Sequence, residues 1–248
     1  MTERFDSPTG EAPDLTTDQM VEVDRAMIED YEIELIQMME NAGRNLAHLA
    51  RVRFLGGDPR GKHVVVLAGR GGNGGGAMVC ARRLSNWGAR VELRLTGEPE
   101  TFSGVPAHQL GILTRMQLPI TSPGEPAIPL SSSEVDLVVD GLIGYSLSGA
   151  PHGPAAEMIR WANEQQASVL ALDAPSGVDT ATGEVFDPAV RAAATLTLAL
   201  PKKGLRSRLE NVGELYLADI SVPPVLYGQA LGLEVGALFA KSDIVRLD

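Results

Sequence analysis

The run from Val64 to Ala68, entering the stretch Gly69-Arg70-Gly71-Gly72-Asn73-Gly74-Gly75-Gly76-Ala77, constrains this chain more than any other feature. A short apolar strand breaks into glycines, and Met78-Val79-Cys80-Ala81-Arg82-Arg83-Leu84 follows with helical character. That order makes an anion site, because glycines admit a ligand close to the backbone and the first free N–H groups of a helix point at it. Seven of the nine residues from Gly69 to Ala77 are Gly or Ala, so few side chains obstruct a phosphate. Asn73 alone offers an amide oxygen in the middle of the run. Gly69-Arg70-Gly71-Gly72-Asn73-Gly74 matches G-x-G-x-x-G literally, but the dinucleotide fingerprint also needs an acid at the end of the next strand. Here that strand, Arg90–Leu95, ends Leu95-Thr96-Gly97 before Glu98. A P-loop is excluded, since no Gly-Lys-Ser/Thr follows.

Strands and helices alternate after the loop. Spacing predicts a helix entered at Leu15–Met20 and capped by Thr16 or Thr17, and a second over about Glu34–Phe54. Strands are expected at His63–Ala68, Arg90–Leu95, Val135–Val139, Ser168–Leu172, Ala194–Leu200 and Glu214–Ala218. Helices are expected at about Gly75–Trp87, Pro106–Met116 and Gly153–Gln165, with a surface loop over Thr121–Ser133. The stretch after Pro224 gives no clear order. Such alternation implies an α/β fold, a mostly parallel sheet covered on both faces. Residues 1–14 read as a flexible N-terminal tail and residues 15–248 as a single domain.

The 248 residues suffice for one large core, and no apolar stretch reaches membrane-spanning length. The N-terminus has no apolar signal core, and the single cysteine, Cys80, suits a reducing compartment, so a cytoplasmic protein is expected. A net charge of −11 opposes non-specific nucleic-acid binding. Cys80 falls within a helix and reads as a packed residue. His48, His63, His108 and His152 show no ligand spacing.

In parallel sheets ligands bind at the carboxyl ends of the strands. Four such ends carry chemistry: Asn73 in the glycine loop, Asp140-Gly141-Leu142-Ile143-Gly144, Asp173-Ala174-Pro175-Ser176, and Pro201-Lys202-Lys203-Gly204. A carboxylate, an amide oxygen and a Ser oxygen form a hard-oxygen set suited to an alkali or alkaline-earth cation. A second carboxylate near a lysine suits acid–base work. Each aspartate alone also serves as a turn residue or cap; their placement after successive strands favours the site.

These motifs together resemble the NAD(P)H-hydrate epimerases, the YjeF N-terminal domain family. Leu15–Arg25 is similar to the family's opening helix and Met38-Met39-Glu40-Asn41-Ala42-Gly43 to its Met-Glu-Asn-Ala-Gly signature. The glycine loop, Asp140–Gly144, Asp173–Asp179, Pro201–Leu205 and Ile220–Pro224 follow in the family's order. The family loop usually reads Gly-x-Gly-Asn-Asn-Gly-Gly-Asp-Gly. Here Gly72 replaces its first Asn, Gly76 its Asp and Ala77 its last Gly.

The resemblance implies a Rossmann-like three-layer α/β/α sandwich, usually a homodimer, that interconverts the R and S forms of hydrated NADH and NADPH. It further implies a potassium ion held by Asn73, Asp140 and Ser176. Substrate would lie on Gly72, Asn73, Gly74, Gly75 and Gly76, on Gly144, Tyr145, Ser146, Leu147, Ser148, Gly149 and Ala150, and on Asp173. Asp173 and Lys202 are the expected catalytic residues. A separate dehydratase acting in the same pathway is an expected companion; nucleic acid and membrane are not expected partners. Two alternatives stay open: a catalytically inactive nucleotide-binding or dimerising module of the same fold, and an NAD-dependent oxidoreductase.

Overall fold

The computed structural model describes residues 5–125, 134–207 and 209–247. Its helices are α1 (Thr17–Glu29), α2 (Leu35–Leu49), α3 (Gly72–Asn86), α4 (Gly104–Arg115), α5 (Gly153–Glu164), α6 (Leu209–Val212) and α7 (Pro224–Leu231). Its strands are β1 (His63–Ala68), β2 (Arg90–Leu95), β3 (Ile120–Thr121), β4 (Leu137–Gly141), β5 (Ser168–Leu172), β6 (Ala194–Leu198), β7 (Glu214–Ala218) and β8 (Ile244–Arg246).

The strands form one sheet in the order β3-β2-β1-β4-β5-β6-β7-β8. Every neighbouring pair is parallel except β7 with β8. The order reverses direction between β1 and β4, the switch point at which open α/β sheets bind ligands. All residues of β1 and β4 are buried, which explains the apolar runs Val64–Ala68 and Leu137–Val139 within them. One face packs under α1, α2, α3, α4 and α7 in the larger core. The other is covered by α5 and the chain around Val190 and Ala192. The expected three-layer, Rossmann-like sandwich is therefore present.

Local chemistry accounts for the elements that carry the site. Thr16 caps α1: its hydroxyl accepts from the Gln19 N–H while the Gln19 side chain accepts from the Thr16 N–H. Met20, Val23, Ala26 and Met27 form the buried face of α1. The predicted second helix is α2 continued by a π-helical turn over Ala50–Phe54. Gly43 lets α2 lie on α3, because a Cβ there would strike the Gly76 carbonyl and Val79.

Several expectations shift. α3 begins at Gly72, inside the glycine run, three residues before the predicted start. β4 runs Leu137–Gly141 rather than Val135–Val139, because its register is set against Val64–Ala68. β3 occupies the first residue of the expected surface loop, and residues 126–133 of that loop lie outside the described residues. The unordered C-terminal stretch supplies α7 and the antiparallel β8.

The expected tail touches the body from residue 5. Phe5 stacks edge-on against His48 and Tyr216, and the Asp6 carbonyl accepts from the Arg246 N–H. Among the described residues no helix is long and apolar enough to cross a membrane.

Candidate active site

Asp140 ends β4, and no part of it is exposed. Its Oδ1 accepts from the Ser176 hydroxyl at 2.6 Å and the Leu142 N–H at 3.1 Å, and its Oδ2 from the Ser176 N–H at 2.8 Å. Burial pushes the Asp140 carboxyl above the ordinary range, against those three hydrogen bonds. Among the described residues no lysine or arginine pairs with it. The turn after β5 thus folds onto the end of β4 through one carboxylate and one serine.

Asp173 ends β5 in a left-handed conformation, φ 65°, a region Asp tolerates better than most residues. The Asp173 N–H donates to the Leu196 carbonyl at 2.7 Å, which fixes the turn. Its Oδ1 meets Lys202 Nζ at 2.5 Å, and its Oδ2 accepts from the Tyr145 N–H at 3.0 Å. Lys202 also donates to the Leu198 carbonyl at 2.9 Å and reaches the Thr197 hydroxyl at 3.3 Å, so its ammonium has three acceptors. Lys202 is 0% and Asp173 3% exposed, a depth at which each charge depends on the other. Leu15, just ahead of α1, bridges to Lys202 and brings that helix over the pair.

These groups open on a cavity of about 400 Å³. Met20, Leu35, Met38 and Met39 make an apolar wall from α1 and α2. The opposite lining includes Gly71, Gly72, Asn73, Gly76, Gly144, Tyr145, Ser146, Asp173 and Lys202. Gly144 sits close to both groups, since a Cβ there would lie 3.1 Å from Asp173 Oδ2 and 3.3 Å from Asn73 Cγ. The first turn of α3 faces the cavity with its N-terminal end, whose unpaired N–H groups suit a phosphate.

Of the residues expected from the sequence, Gly72, Asn73, Gly76, Gly144, Tyr145, Ser146, Asp173 and Lys202 line the cavity, whereas its α1 and α2 wall was not expected. Gly74 and Gly75 are buried behind the surface, and Leu147, Ser148, Gly149 and Ala150 continue their loop outside the cavity lining. Asp140 and Ser176 lie beneath it. Asp24, on α1, lines the cavity and was not anticipated. Its signal was available: an acid sits four residues after Met20 and three before Met27, on the apolar face. Cys80 is buried and unpaired, and burial pushes its thiol up, as befits a packing residue.

Among the described residues no cluster of three or more His, Cys, Asp and Glu side chains gathers. Among the described residues the buried Asn73 Nδ2 has no hydrogen-bond partner. The Asn73 amide oxygen, the Asp140 carboxylate and the Ser176 hydroxyl are hard-oxygen donors of the kind that suits an alkali cation.

The chain is similar to known proteins over most of its length. Residues 35–204 match the model of the YjeF-related protein N-terminus. Over 247 residues the chain is 42% identical to the NAD(P)H-hydrate epimerase of Dehalogenimonas lykanthroporepellens, covering 98% of this chain and 97% of that protein. It is 35% identical to the bifunctional NAD(P)H-hydrate repair enzyme Nnr of Salinibacter ruber, over 88% of this chain and 42% of the longer enzyme. The crystal structure of yeast ynu0 superposes with a TM-score of 0.80 at 24% identity, covering 95% of this chain and 100% of the yeast chain, which supports the fold. The chain belongs to the YjeF-related N-terminal family.

Proposed function

We propose that this chain is an isomerase that interconverts the R and S forms of hydrated NADH and NADPH. The carrying observation is the buried Asp173–Lys202 pair, set at the edge of a cavity that also meets the glycine-rich start of α3. Acid–base chemistry and phosphate binding are thus side by side. The relative from Dehalogenimonas, matched along nearly its whole length, bears the name of this activity. The inactive-module alternative is favoured only by the altered glycine loop, and the intact pair and cavity oppose it.

The hydrate carries a hydroxyl at C6 of the reduced nicotinamide ring, beside the ring nitrogen. Loss of that hydroxyl, assisted by the nitrogen lone pair, leaves a planar cationic centre, and water returning to the other face completes the inversion. No electrons are transferred overall. Asp173 exchanges a proton with the C6 oxygen, and Lys202 fixes the orientation of its carboxylate. The apolar wall of Met20, Leu35, Met38 and Met39 excludes bulk water from the planar centre. Gly72 and Asn73 offer N–H groups to the pyrophosphate. Asn73, Asp140 and Ser176 would hold a potassium ion, which supplies a fixed positive charge beside the phosphates when bound. The same proposal takes the working form as a homodimer in the cytoplasm, with a separate dehydratase consuming one epimer.

The test starts from pure R-hydrate, with R and S forms separated by chromatography over time. Wild type should bring R to an R/S mixture well ahead of the buffer control. Asp173→Asn should cut turnover by about 100-fold or more while leaving substrate affinity within a few-fold. A folded wild type that leaves the R form at the buffer rate refutes the proposal.

A further inference from the structure

Asp24 has no role in the chemistry so far. It lines the cavity from α1, amid Met20, Val23 and Met27. Its Oδ2 accepts from the Tyr145 hydroxyl at 2.5 Å. The N–H of that same tyrosine donates to Asp173 Oδ2 at 3.0 Å, so Tyr145 touches both carboxylates. The groups that face Asp24 are the Tyr145 phenol, Lys202, Asp173 and, from α7, Tyr227. The residues by which α2 lines the cavity carry no charge. Burial holds the Asp24 carboxyl above the ordinary range, and the charge of Asp173 adds to this. The phenol and Lys202 pull the other way.

Inversion at C6 makes a demand that one carboxylate meets poorly. Hydroxyl leaves from one face of the ring and water adds to the other. A proton must be given on the first face and taken on the second. Two carboxyl groups in unlike surroundings, one ion-paired with lysine and one beside a phenol, divide such work as acid and base. We propose that Asp24 is a second catalytic residue of this site, exchanging a proton with the C6 oxygen from the α1 wall while Asp173 does so from the end of β5. The proposal rests on the epimerase activity proposed above.

The step balances. The Asp24 carboxylic acid gives its proton to the C6 hydroxyl. The C6–O bond breaks and its electron pair leaves with water, while the nitrogen lone pair forms the C6–N double bond. Water then adds to the opposite face, the double-bond electrons return to nitrogen, and the surplus proton passes to the Asp173 carboxylate. Exchange with solvent resets the two groups. The reverse reaction uses the same residues with roles exchanged.

The experiment compares wild type with Asp24→Asn, Asp24→Glu and Tyr145→Phe, reading kcat and KM across pH and NADP+ affinity by calorimetry. Asp24→Asn should lower kcat by about 100-fold and remove the alkaline limb of the kcat profile, with KM and NADP+ affinity within about threefold. Asp24→Glu should keep the limb and a larger share of kcat. As an acid, Asp24 is active when protonated, so kcat falls as pH rises through its raised pKa. Tyr145→Phe removes a hydrogen bond that holds that pKa down, so the limb should move to higher pH. The proposal is overturned by an Asp24→Asn enzyme within about threefold of wild-type kcat, or by equal losses in Asn and Glu variants with the limb in place. If Asp24→Asn does not fold, an unmoved limb in Tyr145→Phe overturns it instead. An active wild type with an active Asp24→Asn removes Asp24 alone, whereas a wild type that binds NADP+ without epimerising removes the activity and this role together.

Discussion

At the scale of single residues, the Asp173–Lys202 contact decides both stability and chemistry. Each side chain is buried, and each would be an uncompensated polar burden without the other. Lys202→Met should therefore cost about 3 kcal/mol, chiefly by leaving Asp173 unpaired. Asp173→Asn leaves the ammonium with neutral acceptors and no counter-charge, and should also destabilise. The double variant removes both charges, so its cost should fall short of the summed single costs by about 2 kcal/mol. Urea unfolding of the four proteins measures this, and strictly additive costs would show the contact to be energetically empty. Both residues were legible in the sequence, because each follows a strand at the sheet's carboxyl edge. Asp24 showed only as an acid on the apolar face of α1, and its place at the cavity depends on Leu15 docking beside Lys202, a pairing of residues far apart in the chain.

At the scale of elements, what could be read tracks how local the cause is. The strands β1, β2, β5 and β7 were found at their observed limits, since apolar residues bounded by glycine, aspartate or charge are local signals. The start of α3 was missed because glycine is a poor helix former. What fixes that helix is packing: a Cβ on Gly75 would fall 2.6 Å from Met39 Sδ, and one on Gly76 would fall 2.8 Å from Leu172 Cδ2. The second contact also accounts for Gly76 here, since a larger side chain would have to displace Leu172. β8 was missed because three residues pairing antiparallel with β7 leave no periodic trace. The α2–α3 contact supplies the element-scale prediction. Gly43→Ala would set a methyl against the Gly76 carbonyl and Val79, so thermal unfolding should show a loss of about 2 kcal/mol. Shortening Val79 to alanine should recover little, because the carbonyl remains; full recovery would mean that the side chain alone sets the spacing.

At the scale of the whole molecule, four strand ends meet where the sheet reverses direction, and a cation there would tie β4, the turn after β5 and the start of α3 together. Asp140 is the energetic reason to expect one. It is a wholly buried carboxyl whose partners are two backbone N–H groups and a hydroxyl, none of them cationic. An ion that binds the folded chain alone raises its stability by mass action. Wild type in about 100 mM potassium chloride should unfold about 3 °C higher than in the same concentration of tetramethylammonium chloride, a cation too bulky to replace potassium on oxygen ligands. Ionic strength is equal in the two salts, so screening of surface charge cannot produce the difference. Asp140→Asn keeps the shape but removes the charge, and should unfold at the same temperature in both. This readout is independent of turnover, so it separates the ion from the acid–base pair. Equal unfolding temperatures for wild type in the two salts would leave Asn73, Asp140 and Ser176 as a structural cluster without an ion.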